Sequence, residues 1–394
     1  MRTEEIRDAL LDAIEPHLAK AVTLRHDLHA HPELGNEEQG TAARIRQSLA
    51  GSVQLQDVAT TGVVARIGPS DVTGVALRAE LDALPMTEAT GASYSATNGL
   101  MHACGHDVHM AALVAVCRAA ADVGVSRTLV GIFQPSEERY PSGAQRLVAD
   151  GVLDDHQVGA ILAVHLHPQP AAGAVAIGDG AINASSDEFE ILIEGDGGHG
   201  AYPHKTRDPV LALAQVIVSL QHIVSRRVDP LHNAVIGVGT IHADGAANII
   251  PSEARASGTL RCLQPADREP LQEMIGEVID HTARSHGCQA QVTFTQGEPA
   301  LINSPPLLRH VERELDPARL HTNEPMRSCG ADDFGFYSEV APSAMLFLGI
   351  GNDASAPGLH HPGFLPPDET VASTARALIA AYVGGCAFLD DLER

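Results

Sequence analysis

Tryptophan is absent from this 394-residue chain, and aromatic residues make up only 3% of it. Any substrate pocket must therefore be lined mainly by aliphatic and polar groups. Basic residues are scarce as well: 26 lysines and arginines stand against 50 acidic residues, a formal net charge of −24. No nucleic-acid partner is expected, because phosphate binding needs a basic face. The acidic excess reads as a solvated surface. The six cysteines, at positions 104, 117, 262, 288, 329 and 386, lack paired spacing, which fits free thiols in a reducing compartment. No uninterrupted apolar run reaches the roughly 18 residues of a membrane span, so no membrane partner is expected. The N-terminal stretch MRTEEIRDALLDAIEPHLAKAV reads as an acidic amphipathic helix and lacks the basic-then-apolar order of a signal peptide. A cytoplasmic location is the expectation.

Hydrophobic residues at 44% and charged residues at 19% suffice for a sizeable core, and the length suggests two or three domains. Helix and strand patterns alternate from the start. A helix is predicted from about Thr3 to His29, then β-branched apolar runs at Gly62–Ile67 and Val75–Arg78. A helix over Asp107–Asp122, a strand at Thr128–Phe133, a short helix near Ala144–Ala149 and a strand at Ala160–Val164 follow. Strands this continuously apolar are buried between helices. The expected class is α/β with a mostly parallel central sheet.

From about Ser186 the order changes. A strand (Glu188–Glu194), helix (Asp208–Arg226), two strands (Ala234–Ile241, Glu253–Leu263), helix (Pro265–His286) and strand (Gln289–Thr295) spell β-α-β-β-α-β, a ferredoxin-like α+β pattern. Beyond Leu301 come a helix, a strand at Ala344–Gly349 and a long final helix from Asp368. One domain over residues 1–183 and 298–394 is thus expected to be interrupted by an insert over 184–297.

The segment Gly99-Leu-Met-His-Ala-Cys-Gly-His-Asp-Val-His-Met110 concentrates three histidines, a cysteine and an aspartate. Cys104 and His106 stand two apart in a glycine-containing loop before a helix, and both side chains are good ligands for zinc-like ions. His109 lies one helical turn further on. A buried histidine cluster, or a helix start capped by Asp107, explains this segment equally well when it is taken alone. Four more polar clusters follow predicted strands: Glu80 and Asp82, Glu137 and Glu138, His165 and His167, and His360 and His361 after a glycine-rich loop. Open α/β sheets place their sites at that edge, and unpaired carboxylates are costly to bury there. Neighbouring residues point in different directions, so one of Glu137 and Glu138 suits an ion and the other suits a water. A metal hydrolase needs that division between an ion and a base; a solvated acidic turn is the alternative. In the insert, glycines beside His199 suggest close backbone approach, Asn248 sits in a loop, and Arg261 on a strand has the planar fork that holds a carboxylate. An arginine on a sheet surface can equally be just solvated.

In this order, and across nearly the whole chain, MHACGHDVH, QPSEE, VHLHP, GGHGAYPHKTRDPV, NIIP, GTLR and LHHPGF resemble the metallopeptidase-related amidohydrolases. That family includes hippurate hydrolase, N-acyl-amino-acid amidohydrolases and enzymes that cleave auxin–amino acid conjugates. The resemblance implies a zinc-peptidase-like catalytic domain with an inserted ferredoxin-like lid that mediates a homodimer or higher homo-oligomer. It implies two divalent metal ions per subunit, zinc or manganese before cobalt or nickel. Cys104 stands at the bridging position, and His106, Glu138, His165 and His360 complete the ligands. Glu137 matches the general base and Asp82 the aspartate that orients the site. His199 matches a lid histidine that stabilises the oxyanion, sometimes in a neighbouring subunit. Asn248 and Arg261 match lid positions near the substrate carboxylate. The implied reaction is hydrolysis of the amide bond of an N-acyl amino acid to a carboxylic acid and a free amino acid. A dipeptidase or carboxypeptidase on the same scaffold is one alternative. A non-catalytic metal- or amino-acid-binding protein is another, and Glu137 argues against it, since a binding module needs no base beside its ligand. Two positions depart from the pattern: Glu80 replaces a frequent Asp, and Asp332 in Gly330-Ala-Asp-Asp-Phe334 replaces a Glu.

Overall fold

The computed structural model describes residues 3–351 and 356–394. Part of the glycine-rich loop ahead of Leu359, residues 352–355, lies outside the described residues. The chain forms two compact units. One comprises Met1–Gly180, Ile302–Met326 and Phe336–Arg394; the other comprises Ala181–Leu301 and Arg327–Gly335.

The first unit is built on an eight-stranded sheet. Its strands lie side by side in the order Gln54–Val58, Gly62–Ile67, Leu129–Gln134, Gly74–Glu80, Val158–His167, Ser343–Gly349, Ala174–Ala176 and His321–Asn323. The centre is parallel: Gly74–Glu80 pairs in parallel with both Leu129–Gln134 and Val158–His167, and the latter with Ser343–Gly349. The three strands Gly74–Glu80, Leu129–Gln134 and Ser343–Gly349 are buried at every residue, which accounts for their lack of alternation. Helices Thr3–Ala30, His106–Val123 and Glu369–Leu392 pack with them into one core that includes Leu10, Leu28, Leu77, Leu113, Leu162 and Ile379. Burying each such side chain contributes about 1.5–3 kcal/mol. The parallel order brings the carboxyl ends of four neighbouring strands to one edge.

The second unit has the expected β-α-β-β-α-β order. Its four-stranded antiparallel sheet runs Ala234–His242, Glu253–Cys262, Ser185–Glu194, Gln289–Thr295. Along Ser185–Glu194 buried and accessible residues alternate, because only one face is covered. Helices Pro209–Arg226 and Arg268–Ser285 cover it, with Phe189, Ile193, Val216, Leu220 and Ile275 in the core. The Asp208 carboxylate accepts from Val210 N–H at 2.9 Å and Leu211 N–H at 3.2 Å, and Pro209 opens the helix, the usual chemistry of a helix start.

Several features differ from the sequence expectation. Helix Gln39–Leu49 was not anticipated: it buries only Thr41, Ala42, Ile45 and Leu49, too thin a stripe to stand out. The segment Arg327–Gly335 clusters with the inserted unit rather than with the C-terminal part. Ser328 N–H donates to Ile182 O at 2.8 Å and Ala184 N–H to Ser328 O at 3.2 Å, contacts between segments distant in sequence. Among the described residues two helices, Pro209–Arg226 and Glu369–Leu392, are long and apolar enough to cross a membrane by length and composition alone, although neither is an uninterrupted apolar run. The second is mostly buried in the core.

Candidate dinuclear metal centre

The site grows from the carboxyl edge of the parallel strands. Glu80 ends one strand, and Asp82 follows two residues later. Leu84 and Met101 exchange backbone hydrogen bonds of 3.0 Å, closing the intervening loop so that His106 returns to Asp82. Gly105, at φ +85°, turns the chain between Cys104 and His106 into the helix His106–Val123; a side chain there would be strained. Glu137 and Glu138 follow Leu129–Gln134, whereas His165 lies within its strand rather than beyond it. His360 comes last. Its φ of +58° is rare for a residue with a side chain, and its N–H is tied to Ala103 O at 2.9 Å.

These side chains converge. The ligand atoms of Cys104, His106 and His165 lie within 4.8 Å of one another, and so do those of Cys104, Glu138 and His360. The two trios share the thiol. His106 Nδ1 lies 2.9 Å from the Asp82 carbonyl oxygen and His165 Nδ1 lies 2.7 Å from the Leu166 carbonyl oxygen. Only an N–H can donate to a carbonyl, so each ring turns an Nε2 lone pair toward the cluster. His165 Nε2 stands 3.5 Å from Cys104 Sγ. The buried His106 Nε2 has no hydrogen-bond partner among the described residues. A buried orphan beside a thiol and carboxylates fits a bound cation. Glu138 Oε1 is 3.1 Å from His360 Nε2, and Glu137 Oε2 is 4.0 Å from His106 Nε2. Asp82 serves from beneath: its Oδ2 accepts from Glu138 N–H at 2.9 Å, so one residue aims both His106 and Glu138.

His109 also meets the cluster but is not free to bind an ion. Its Nδ1 donates to Glu80 Oε2 at 2.8 Å and its Nε2 accepts from Leu166 N–H at 3.1 Å. The longer Glu80 side chain, one of the two departures, is what His109 grips. Arg78 pairs with Glu80 from the same strand and donates to Gln134 Oε1 at 3.0 Å.

The electrostatics favour positive charge in the centre. Without an ion, burial works against a His106 cation, but Glu80, Asp82 and Glu138 outweigh it and raise its pKa to about 10, so a metal would take the place of the Nε2 proton. Burial, then the neighbouring His109, hold His165 down to about 3, so that ring stays neutral as a ligand must. Burial alone would raise Glu80, but Arg78, His109 and His106 hold it well below the usual carboxylate range.

A second buried layer anchors the helix that carries His106. Asp107 is not the expected cap: it lies inside the first turn and is fully buried. Its Oδ2 accepts from Arg25 at 3.1 Å and pairs with His29 Nδ1 at 3.0 Å. Burial opposes its ionisation, yet His29 and Arg25 keep it well below the usual carboxylate range. His29 Nε2 in turn reaches Glu88 Oε1 at 3.1 Å. Sequence reading missed this layer because its members are scattered over about 80 positions, with only Asp107 inside a recognisable motif.

Within the inserted unit, His199 and Asn248 are neighbours. Gly198–His199 pairs with Ile249–Ile250, and Gly200 N–H donates to Asn248 O at 2.8 Å. Arg261 does not join them. It sits at the far end of Glu253–Cys262, where a guanidinium N–H donates to Cys329 O at 3.1 Å. Eight residues of strand, roughly 26 Å at about 3.3 Å each, separate Arg261 from the His199 end of the sheet.

A thiol, three imidazoles and a carboxylate grouped together, buried at Cys104, His106 and His165, part-buried at Glu138 and exposed at His360, with a second carboxylate beside them, define a metal-dependent hydrolase site on a two-unit α/β scaffold. Comparison with known proteins makes the class specific. The model of peptidase family M20/M25/M40 matches residues 76–382, and the chain belongs to that family. It is 35% identical to N-acetyl-L-cysteine deacetylase of Bacillus subtilis over 373 residues, covering 93% of this chain and 87% of that protein. It is 34% identical to IAA-amino acid hydrolase ILR1-like 5 of Arabidopsis thaliana, covering 91% and 85%. The crystal structure of the Bacillus subtilis YXEP protein, a dinuclear metal binding peptidase from the M20 family, superposes with a TM-score of 0.82. It is 29% identical and covers 94% of this chain and 98% of that one. The protein is a metal-dependent amidohydrolase of the M20 family.

Proposed function

We propose that this enzyme cleaves the amide bond of N-acyl amino acids, using two divalent ions held by Cys104, His106, Glu138, His165 and His360, with zinc or manganese preferred over cobalt or nickel. The single observation that carries this reading is the pair of three-ligand groups sharing Cys104, with Glu137 meeting His106 and Glu138 in a further group beside them. The relatives that act on N-acetylcysteine and on amino-acid conjugates support the substrate class. Bound divalent ions would acidify water toward neutrality and polarise the scissile carbonyl. Glu137 takes the proton of the attacking water and passes it to the leaving amine. Asp82 keeps His106 and Glu138 aimed. The His199 imidazole donates to the oxyanion, and Asn248 and Arg261 hold the α-carboxylate. A cytoplasmic location belongs to the same reading.

The test is a panel of N-acyl amino acids, their amides and dipeptides, assayed on metal-free protein resupplied with zinc, manganese, cobalt or nickel. Acylated amino acids with a free carboxylate are expected to be the best substrates. Arg261→Ala is expected to raise their KM by about 10- to 100-fold, the worth of a charged hydrogen-bonded contact, and to leave the amides nearly unchanged. Equal effects on both would show that Arg261 does not read the carboxylate. Preference for dipeptides would replace the acylase reading with a peptidase.

We read the assembly as a homodimer or larger homo-oligomer through the inserted unit. Its helix Pro209–Arg226 exposes Val210, Leu211 and Val218, an apolar stripe that a second copy would cover. The distance between Arg261 and the His199 end exceeds a small substrate, which favours their serving different subunits' sites. Mixed oligomers of Glu137→Gln and His199→Ala chains should then regain activity that neither pure variant has. No regain on mixing would place both residues in one subunit's site.

A further inference from the structure

We propose that Glu38 is a positioning residue for Glu137, acting through the left-handed turn at Ser136; the inference rests on the base role given to Glu137 above. Ser136 immediately precedes Glu137 and has φ +51°, a conformation that side-chain-bearing residues adopt only when their surroundings enforce it. Glu38 enforces it. Fully buried, its Oε1 accepts from Ser136 N–H at 2.7 Å, and its Oε2 accepts from Thr61 O–H at 2.7 Å. Asn36, itself at φ +66°, donates from Nδ2 to Ser136 Oγ at 2.8 Å and accepts from Arg146 at 2.9 Å. Ser136 Oγ donates onward to Arg139 O at 2.9 Å, and Gly143 N–H donates to Ser136 O at 2.9 Å. The packing is tight enough that a Cβ on Gly143 would lie 1.6 Å from Pro135 O.

Every polar group of Ser136 is therefore engaged. One residue further on from Glu137, Glu138 N–H is held by Asp82. The dipeptide that carries the two carboxylates is clamped at both ends. A strand running straight on from Gln134 would alternate its side chains across the sheet. The left-handed step at Ser136 breaks that alternation and sends Glu137 to His106 and Glu138 to His360. Removing Glu38 leaves the Ser136 N–H buried and unpaired and frees the turn to relax, which swings the base away from its water.

Glu38→Ala is expected to lower kcat by about 10- to 100-fold, the scale of a small misplacement of a reacting group, with KM changed by less than about threefold. Metal content should stay at two ions per chain. Glu38→Gln should remain within about threefold of wild type, since its amide oxygen still accepts from Ser136 and its NH2 meets Thr61 Oγ. If Glu38 acts through Glu137, adding Glu38→Ala to Glu137→Gln should cost less than about twofold in residual turnover. Asn36→Gly tolerates the positive φ but loses both side-chain bonds, and should lower kcat by about three- to tenfold; it carries the test should Glu38→Ala not fold. Unchanged kcat in Glu38→Ala, or in Asn36→Gly where it stands in, overturns the inference. So does metal loss in step with activity, or a full further drop in the Glu137→Gln background. Failure of the base assignment itself is read separately, from Glu137→Gln alone.

Discussion

Glu137→Gln is expected to lower kcat by about 10²- to 10⁴-fold, the contribution of a positioned general base, while the fold and both ions are retained. The substitution exchanges one carboxylate oxygen for an amide nitrogen and changes neither length nor volume. Glu137 lies 4.0 Å from His106 Nε2, beside the ligand cluster, so the proton acceptor goes while the ligands stay. The neighbouring Glu138→Gln should behave differently. Its carboxylate meets His360 at 3.1 Å and stands in the trio with Cys104, so its loss should show first in metal content. Elemental analysis and steady-state kinetics on the two variants separate the roles. Near-normal turnover in Glu137→Gln, with metal retained, would remove it as the base.

Chelation should bring activity to background and lower the thermal unfolding midpoint by roughly 5–10 °C, the size expected when ions bind the folded chain alone and in large excess over their dissociation constants. The physical reason is the charge of the centre. Asp82, Glu137 and Glu138 crowd one edge beside Glu80, which Arg78 and His109 already compensate, and His106 Nε2 has no hydrogen-bond partner among the described residues. Two divalent cations bound there would offset that repulsion. Because Cys104 and the imidazoles bind only after shedding protons, retention should weaken as pH falls. Back-titration should restore activity and stability at two ions per chain. Full activity in chelated protein, or saturation at one ion, would contradict the two-ion reading.

How much of this was legible beforehand differs by element. The ferredoxin-like insert was readable because its sheet has one covered face, so strand alternation and helix periodicity survive in the sequence. The central strands were readable for the opposite reason: burial on both faces leaves unbroken apolar runs. The short strands Ala174–Ala176 and His321–Asn323 at the sheet edge were not, because three residues carry no period. Cys104, His106, Glu137, Glu138, His165 and His360 stood out by residue type and by clustering in short segments beside predicted strands and a helix start. Glu38, Asn36, Arg25 and His29 did not, since a buried carboxylate or histidine looks like a surface one until its partners are known.

The sequence by itself determined the alternation that makes an α/β sheet with an inserted α+β unit. It also determined the set of ligand-type side chains and the adjacency of Glu137 and Glu138, which assigns them different directions. Only the tertiary structure decided which atoms meet. Parallel pairing laid four strand ends side by side and made Cys104 common to two ligand groups. Hydrogen bonds from Nδ1 fixed which histidine lone pairs face the centre. The same packing tied His109 to Glu80 and the Leu166 N–H, moved Asp107 from cap to anchor, and set Arg261 far from His199. These outcomes depend on contacts between residues tens to hundreds of positions apart, and local pattern carries no record of such contacts.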